Sequence, residues 1–212
     1  MTTTTTLAPL HGLVLAGGAS RRMGRDKASL TLHGKTQLEW ACELLARHCE
    51  RVFVSVRPDQ LDDPLRRDLP VIVDRHAGIG PIAGIASAQA EWPEHAWLVL
   101  ACDLPFVSDA GVDALVANRD GRPVVAYRST HDDLPEPLCA IYEPKTATAV
   151  LAQIAAGRHC PRKFVISTGV ELLEQPDPSL LDNVNTPDEL ARASAQLDTS
   201  PAPAGEVGRK AG

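Results

Sequence analysis

Residues 97–102 read Trp-Leu-Val-Leu-Ala-Cys, and Asp103 follows at once. Six apolar residues without polar alternation mark a strand covered on both faces, as in a parallel sheet flanked by helices. The run is far shorter than the roughly 18 residues of a membrane span. His11 to Ala16, Arg51 to Val56, Val71 to Asp74, Pro123 to Tyr127 and Leu138 to Tyr142 are further strand-like segments. Helical patterns lie between them. Leu38, Cys42, Leu45 and Cys49 recur at helical spacing over residues 36–48, behind a Thr36/Glu39 capping box. Pro81 to Ala90 is rich in small residues, with Pro81 suited to a first turn. Ser108 caps a helix running to Ala117, Gly157 stops one that begins at Pro144, and Thr186, Pro187 and Glu189 open the last. Strands alternating with helices specify an α/β domain with a mostly parallel sheet and right-handed crossovers.

A length of 212 residues fits one domain. Residues 10–197 carry the periodic segments and are expected to form it. Residues 1–9 are expected to be a flexible N-terminus. Residues 198–212, rich in Pro, Ala, Gly and charge, are expected to be a disordered tail. The Thr-rich N-terminus lacks the basic stretch of a signal peptide, so a cytoplasmic protein is expected, with no membrane partner. The five cysteines contain no CxxC pair and read as core thiols of a reducing compartment. Cys160, between His159 and Pro161, fits no pattern. The net charge of −6 is uneven: residues 1–35 hold Arg21, Arg22, Arg25, Lys27 and Lys35 against Asp26 alone. An acidic chain with one short basic segment argues against a general nucleic-acid binder and for a small anionic ligand near the N-terminus.

That basic segment is Leu15-Ala16-Gly17-Gly18-Ala19-Ser20-Arg21-Arg22-Met23-Gly24-Arg25-Asp26-Lys27. It follows a buried strand, where open α/β sheets bind ligands. Adjacent glycines let backbone N–H groups approach phosphate oxygens, and the cations after them neutralise a polyphosphate. The spacing is neither a P-loop nor GxGxxG. Residues alone leave open a solvated basic turn. At the other strand tip, Asp103 is an expensive carboxylate unless paired, and Mg²⁺ beside substrate phosphates would pair it. A turn cap ahead of Pro105 is the alternative. Asp74 ends another strand before Gly78-Ile79-Gly80-Pro81-Ile82-Ala83-Gly84. Its spacing fails the dinucleotide fingerprint, because Ala83 stands where the third glycine belongs.

The pattern LAGG-x-S-x-RMG-x-DK resembles the signature of nucleotidyltransferases that activate a phosphorylated acceptor, most closely the molybdenum cofactor guanylyltransferases. Matching motifs run from Leu13 to Leu190. The resemblance implies a Rossmann-like three-layer sandwich of the nucleotide-diphospho-sugar transferase type. It implies GTP held by the backbone of Leu15, Ala16, Gly17 and Gly18, with Arg22 and Lys27 on phosphates. Cys102-Asp103-Leu104-Pro105 resembles the family's CD-x-P, so Asp103 is expected to bind Mg²⁺ and GTP, and Arg22, Lys27 and Asp103 to carry catalysis. Asp74 and Gly80 are expected at the nucleotide, as is Ser55, which stands where the family often has Asn. Cytidylyl relatives tend to carry LAAG, so Gly17 points to guanine.

The acceptor side is less determined. Glu136, in Leu-Pro-Glu-Pro-Leu, is a pterin or metal contact or a surface carboxylate in a rigid loop. Asn183 and Asn185, in Asp-Asn-Val-Asn-Thr-Pro, are pterin or phosphate contacts beside a helix start. Arg158, Arg162 and Lys163 form a cationic cluster that meets the acceptor phosphate or is a solvated turn. The implied partners are GTP, molybdopterin or its molybdenum-loaded form, other cofactor-biosynthesis proteins and molybdoenzyme chaperones. Rival readings are a CTP-dependent molybdopterin cytidylyltransferase, a sugar-phosphate nucleotidyltransferase, and a non-catalytic nucleotide-binding partner of molybdoenzyme assembly.

Overall fold

The computed structural model describes residues 6–17, 26–76 and 78–199. Its strands are β1 (Leu10–Leu15), β2 (Thr31–Leu32), β3 (Lys35–Thr36), β4 (Arg51–Val56), β5 (Val71–Val73), β6 (Ala96–Ala101), β7 (Val124–Arg128) and β8 (Pro135–Tyr142). Its helices are α1 (Gln37–Ala46), α2 (Ile82–Glu91), α3 (Asp109–Ala117), α4 (Ala147–Ala155), α5 (Pro161–Thr168) and α6 (Pro187–Thr199). The six-stranded sheet runs β5-β4-β1-β6-β8-β7. The first four strands are mutually parallel, and β8 lies antiparallel to both β6 and β7. β2 and β3 form a separate hairpin whose His33-Gly34 turn has φ of 55° and 72°, the sign that two-residue hairpins require. Among the described residues no helix is long and apolar enough to cross a membrane.

Strand alternation sends β1 side chains to two cores. Val14 joins Leu98, Leu100 and Ile141 under α1 and α3, through Leu38, Leu44, Leu45, Val112 and Leu115. Leu13 joins Trp97, Val99 and Ala140 under α2, α4 and α5, through Ile85, Val150, Phe164 and Val165. Helices on both faces of one sheet make the expected three layers, and they explain why β6 is apolar throughout. The expected caps are present. Thr36 and Glu39 exchange both bonds of a capping box at α1, Ser108 accepts from Gly111 N–H at α3, and Thr186 with Glu189 does the same ahead of α6.

The structure adds elements that periodicity does not reveal. The Arg162-Lys163 pair lies on α5 rather than in a turn, and Cys160 is its N-cap residue. Pro161 in the first turn and Gly169 at φ 66° bound this helix. Residues 144–146 form a 3₁₀ turn before α4. α6 reaches Thr199, two residues past the expected domain edge at 197. The cysteines are free: Cys102 and Cys139 are buried, Cys42 and Cys49 half-buried, and Cys160 exposed. Burial pushes the Cys42, Cys49 and Cys102 thiols up to about 12, so these three stay protonated packing groups.

Candidate active site

β1 lies between β4 and β6, so the chain leaves it in opposite directions. Such a reversal of strand order opens a crevice at the carboxyl ends. A cavity of about 630 Å³ fills it, walled by Leu15, Ala16 and Gly17 after β1, Asp74 after β5, and Asp103 after β6. The start of α2 closes one side through Gly80, Pro81 and Ala83. This helix comes close because Gly84 has no side chain. A Cβ there would stand 2.9 Å from Leu15 Cδ2 and closer still to Ser55 Oγ.

Two arginines brace the first loop from below. Arg66 is fully buried, and its Nη2 donates to the Ala16 carbonyl at 2.8 Å and to Asp26 Oδ2 at 2.5 Å. Its Nη1 donates to Asp63 Oδ2 at 2.7 Å. Asp26 also accepts from Ala28 N–H at 3.0 Å, which starts the short 3₁₀ helix Lys27–Ser29. Arg57 donates to the Gly17 carbonyl and forks onto Asp59 through Nε and Nη2, each at 3.0 Å. Arg66 thus ties the Ala16 carbonyl to the Asp26 carboxylate, and Arg57 holds the Gly17 carbonyl.

Lys27 projects from that 3₁₀ turn to the tip of β6. Its Nζ donates to Asp103 Oδ2 at 2.7 Å and also to Asn185 Oδ1. Asn185 Nδ2 in turn donates to Asn183 Oδ1 at 2.6 Å. Val184 N–H donates to the Asp103 carbonyl at 3.0 Å, which pins this segment against the strand tip. A second cavity, of about 320 Å³, opens on the other side of Asp103. Glu136, Arg162, Asn183 and Cys160 line it, and it shares Pro81, Ala101, Asp103 and Leu138 with the first. Asp103 is therefore the one carboxylate that the linings of both cavities share.

The electrostatics differ between the walls. Burial pushes the Asp74 carboxyl above its usual range, while the Ser55 hydroxyl and Arg57 pull it back. Ser55 Oγ donates to Asp74 Oδ1 at 2.7 Å. Burial likewise raises Glu136, opposed by the Leu138 N–H at 3.0 Å and by Arg162. Arg162 divides its fork between Asp132 at 2.6 Å and Glu136 at 3.4 Å.

The family model of the MobA-like NTP transferase domain matches residues 12–172, which take in the lining of the larger cavity and that of the smaller apart from Asn183. This chain belongs to that family. A molybdenum cofactor biosynthesis bifunctional protein of Synechocystis sp. is 36% identical over 182 residues. The match takes in 85% of this chain but 52% of that protein, so the chain spans about half the length of this relative. A probable molybdenum cofactor guanylyltransferase of Nostoc sp. is 33% identical over 195 residues, 89% of this chain and 92% of the relative. A crystal structure of molybdopterin-guanine dinucleotide biosynthesis protein A from Archaeoglobus fulgidus superposes with a TM-score of 0.72 at 28% identity. It covers 90% of this chain and all of the other. The chain is an enzyme, a nucleotidyltransferase.

In this transferase Leu15, Ala16, Gly17, Lys27, Asp74, Gly80 and Asp103 all line the larger cavity, and Glu136 and Asn183 line the smaller. Asn185 stands between them through Lys27. Ser55, expected at the nucleotide, is not among the residues that line the larger cavity. It is 2% exposed, lies under α2, and meets the cavity only by holding Asp74. Of the cationic cluster, Arg162 lines the smaller cavity, while Arg158 and Lys163 are exposed and line neither of the two. Gly18 and Arg22 lie outside the described residues. Sequence reasoning missed Arg57, Asp59, Arg66 and His76. Arg66 sits in the run Leu61-Asp62-Asp63-Pro64-Leu65-Arg66-Arg67-Asp68, which reads as a solvated charged turn. The one usable signal for Arg57 is its place two residues past Ser55 at a strand end.

Proposed function

We propose that this transferase moves GMP from GTP to the terminal phosphate of molybdopterin, forming the guanine dinucleotide form of the cofactor. An oxygen of the acceptor phosphate attacks the α-phosphorus in line. The bond from the α-phosphorus to its bridging oxygen breaks, and pyrophosphate leaves. The meeting of two cavities at Asp103, in a chain of this family, carries the reading. The larger cavity takes GTP on the Leu15–Gly18 backbone, with Asp74 and Gly80 at its far wall. The smaller takes the pterin acceptor beside Glu136, Asn183 and Asn185, with Arg162 as the cation nearest its phosphate. Gly17, by its resemblance to the guanylyl branch, favours guanine over cytosine.

The acceptor phosphate is already ionised near neutral pH, so the chain needs no general base. It supplies orientation and positive charge. Lys27 is the mobile cation of the site. Arg22 is proposed for the same task from the neighbouring loop. The oxygens beside Asp103, its own carboxylate and the Asn183 and Asn185 amide oxygens, suit a hard divalent cation that also binds phosphates, which would take the place that the Lys27 ammonium holds on Asp103. Asp103 is the residue that would hold Mg²⁺, and bound Mg²⁺ would neutralise charge on the phosphate oxygens. The enzyme is expected in the cytoplasm.

Pyrophosphate release, measured with GTP, CTP, ATP and UTP and with or without molybdopterin, tests the proposal. GTP with molybdopterin should give product and the other nucleotides little. CTP-only turnover would move the enzyme to the cytidylyl branch, and absence of release with every nucleotide would leave a binding protein. Asp103→Ala should abolish turnover while a GTP-induced melting shift largely survives. Full activity in that variant would remove the metal assignment.

A further inference from the structure

The other end of the sheet carries a cluster that nucleotidyl transfer does not use. His11 is the second residue of β1, Glu50 immediately precedes β4, and His95 immediately precedes β6. These strands are neighbours in the sheet. Glu50 N–H donates to the Leu10 carbonyl and Ala96 N–H to the Pro9 carbonyl, each at 2.9 Å, so the backbone holds all three residues side by side. One ligand atom from each side chain lies within 4.8 Å of the other two.

Two observations point to a ligand rather than to packing alone. His11 is only 1% exposed, yet its Nδ1 has no hydrogen-bond partner among the described residues. The Nδ1 of His95 is likewise buried and without a partner among them. Stacking the two imidazoles at 4.0 Å satisfies neither nitrogen. A buried, unsatisfied polar atom keeps its full desolvation cost, which a metal bond or a hydrogen bond would offset.

We propose that His11, Glu50 and His95 bind a divalent transition-metal ion of the zinc class, clipping together the starts of β4, β1 and β6. Two imidazoles and one carboxylate are borderline donors that suit zinc, cobalt or nickel better than Mg²⁺ or Ca²⁺. Ligand atoms at about 2.1 Å from a tetrahedral ion stand about 3.4 Å apart. The present atoms, within 4.8 Å of one another, must draw together by up to about 1.4 Å to reach that spacing, and the exposed Glu50 is the freest of the three to move. Water takes the fourth position on the open side. Phe53, Trp92 and Trp97 pack round the His11 ring at centroid distances of 5.5, 5.1 and 5.4 Å, giving the site a dry wall. The Arg51 guanidinium lies over the Trp92 and Phe53 rings. The site stands about four residues, on the order of 13 Å of strand, from the nucleotide end of β1. Its role is therefore structural.

The test uses full-length, chelator-stripped protein titrated with Zn²⁺ alone, with excess Mg²⁺ present to cover hard-oxygen sites and Cys160→Ser to remove the exposed thiol. Wild type should bind one saturable equivalent and melt higher, since binding to the folded state alone raises Tm by mass action. Co²⁺ should give tetrahedral d–d absorption without a thiolate band. Glu50→Gln, at an exposed position, and His95→Gln should each weaken Zn²⁺ binding more than about tenfold, the loss that even an outer-shell partner can cause. Both should retain the melting shift with GTP and Mg²⁺, which shows that they fold. No saturable binding by wild type, or a site that persists in both variants, overturns the proposal.

Discussion

At the residue scale the larger cavity rests on a side chain that is not among its lining residues. Arg66 holds Ala16 and Asp26 from a fully buried position, and its Nε has no partner among the described residues. Removing one member of a buried charged network costs about 3–5 kcal/mol, because the other charges lose their counter-ion. Arg66→Met should therefore lower the unfolding free energy by about 3 kcal/mol in urea titration. It should also weaken GTP binding, since the carbonyl that shapes the loop is released. Unchanged stability would mean that Asp26 and Asp63, each partly exposed, are adequately solvated alone. Asp74 makes a pH prediction. Its folded-state pKa is raised, so its contribution to stability is greatest below the ordinary carboxylate range and is lost as pH rises through the raised value. Asp74→Asn should gain stability relative to wild type at pH 7 and gain less as pH falls below the ordinary carboxylate range, where the wild-type carboxyl takes up its proton. A pH-independent difference between the two melting curves would contradict this.

At the scale of elements, α2 shows how a glycine sets a binding wall. Gly84 lets the helix rest on β1 and β4, so that Gly80, Pro81 and Ala83 reach the cavity. Gly84→Ala would force its methyl against Leu15 and Ser55. Overpacking of this kind costs about 1–3 kcal/mol. The Ser55 to Asp74 hydrogen bond would shift as well. The expected result is a lower Tm together with a higher dissociation constant for GTP, and a variant that melts and binds like wild type would refute the close approach. Capping, strand and helix patterns made α1, α3 and α6 legible in the sequence, because those signals are local. α5 was not legible. Its first turn carries Arg162 and Lys163, and only three of its eight residues, Pro161, Phe164 and Val165, are buried. The Pro161 and Gly169 boundaries were its only local marks.

At the scale of the molecule, two cavities and the segment at 183–185 converge on the tip of β6. The chain of Asn183, Asn185, Lys27 and Asp103 links the proposed acceptor side to the nucleotide side. Asn185→Ala should raise the KM for molybdopterin in the pyrophosphate assay and leave the GTP melting shift nearly intact. An equal loss on both sides would place Asn185 in the nucleotide site instead. The sequence by itself determined the α/β class, the mostly parallel sheet, the strand tips that carry Gly17, Asp74 and Asp103, and the family. Each of these rests on a contiguous pattern: apolar runs, caps, or a motif without gaps. Only the tertiary structure decided that Arg57 and Arg66 hold the Gly17 and Ala16 carbonyls, that Ser55 acts on Asp74 from beneath α2, and that Asp103 lines two cavities. Those are contacts between residues tens of positions apart, and a charged side chain reads the same in sequence whether it faces water or is buried against a carbonyl.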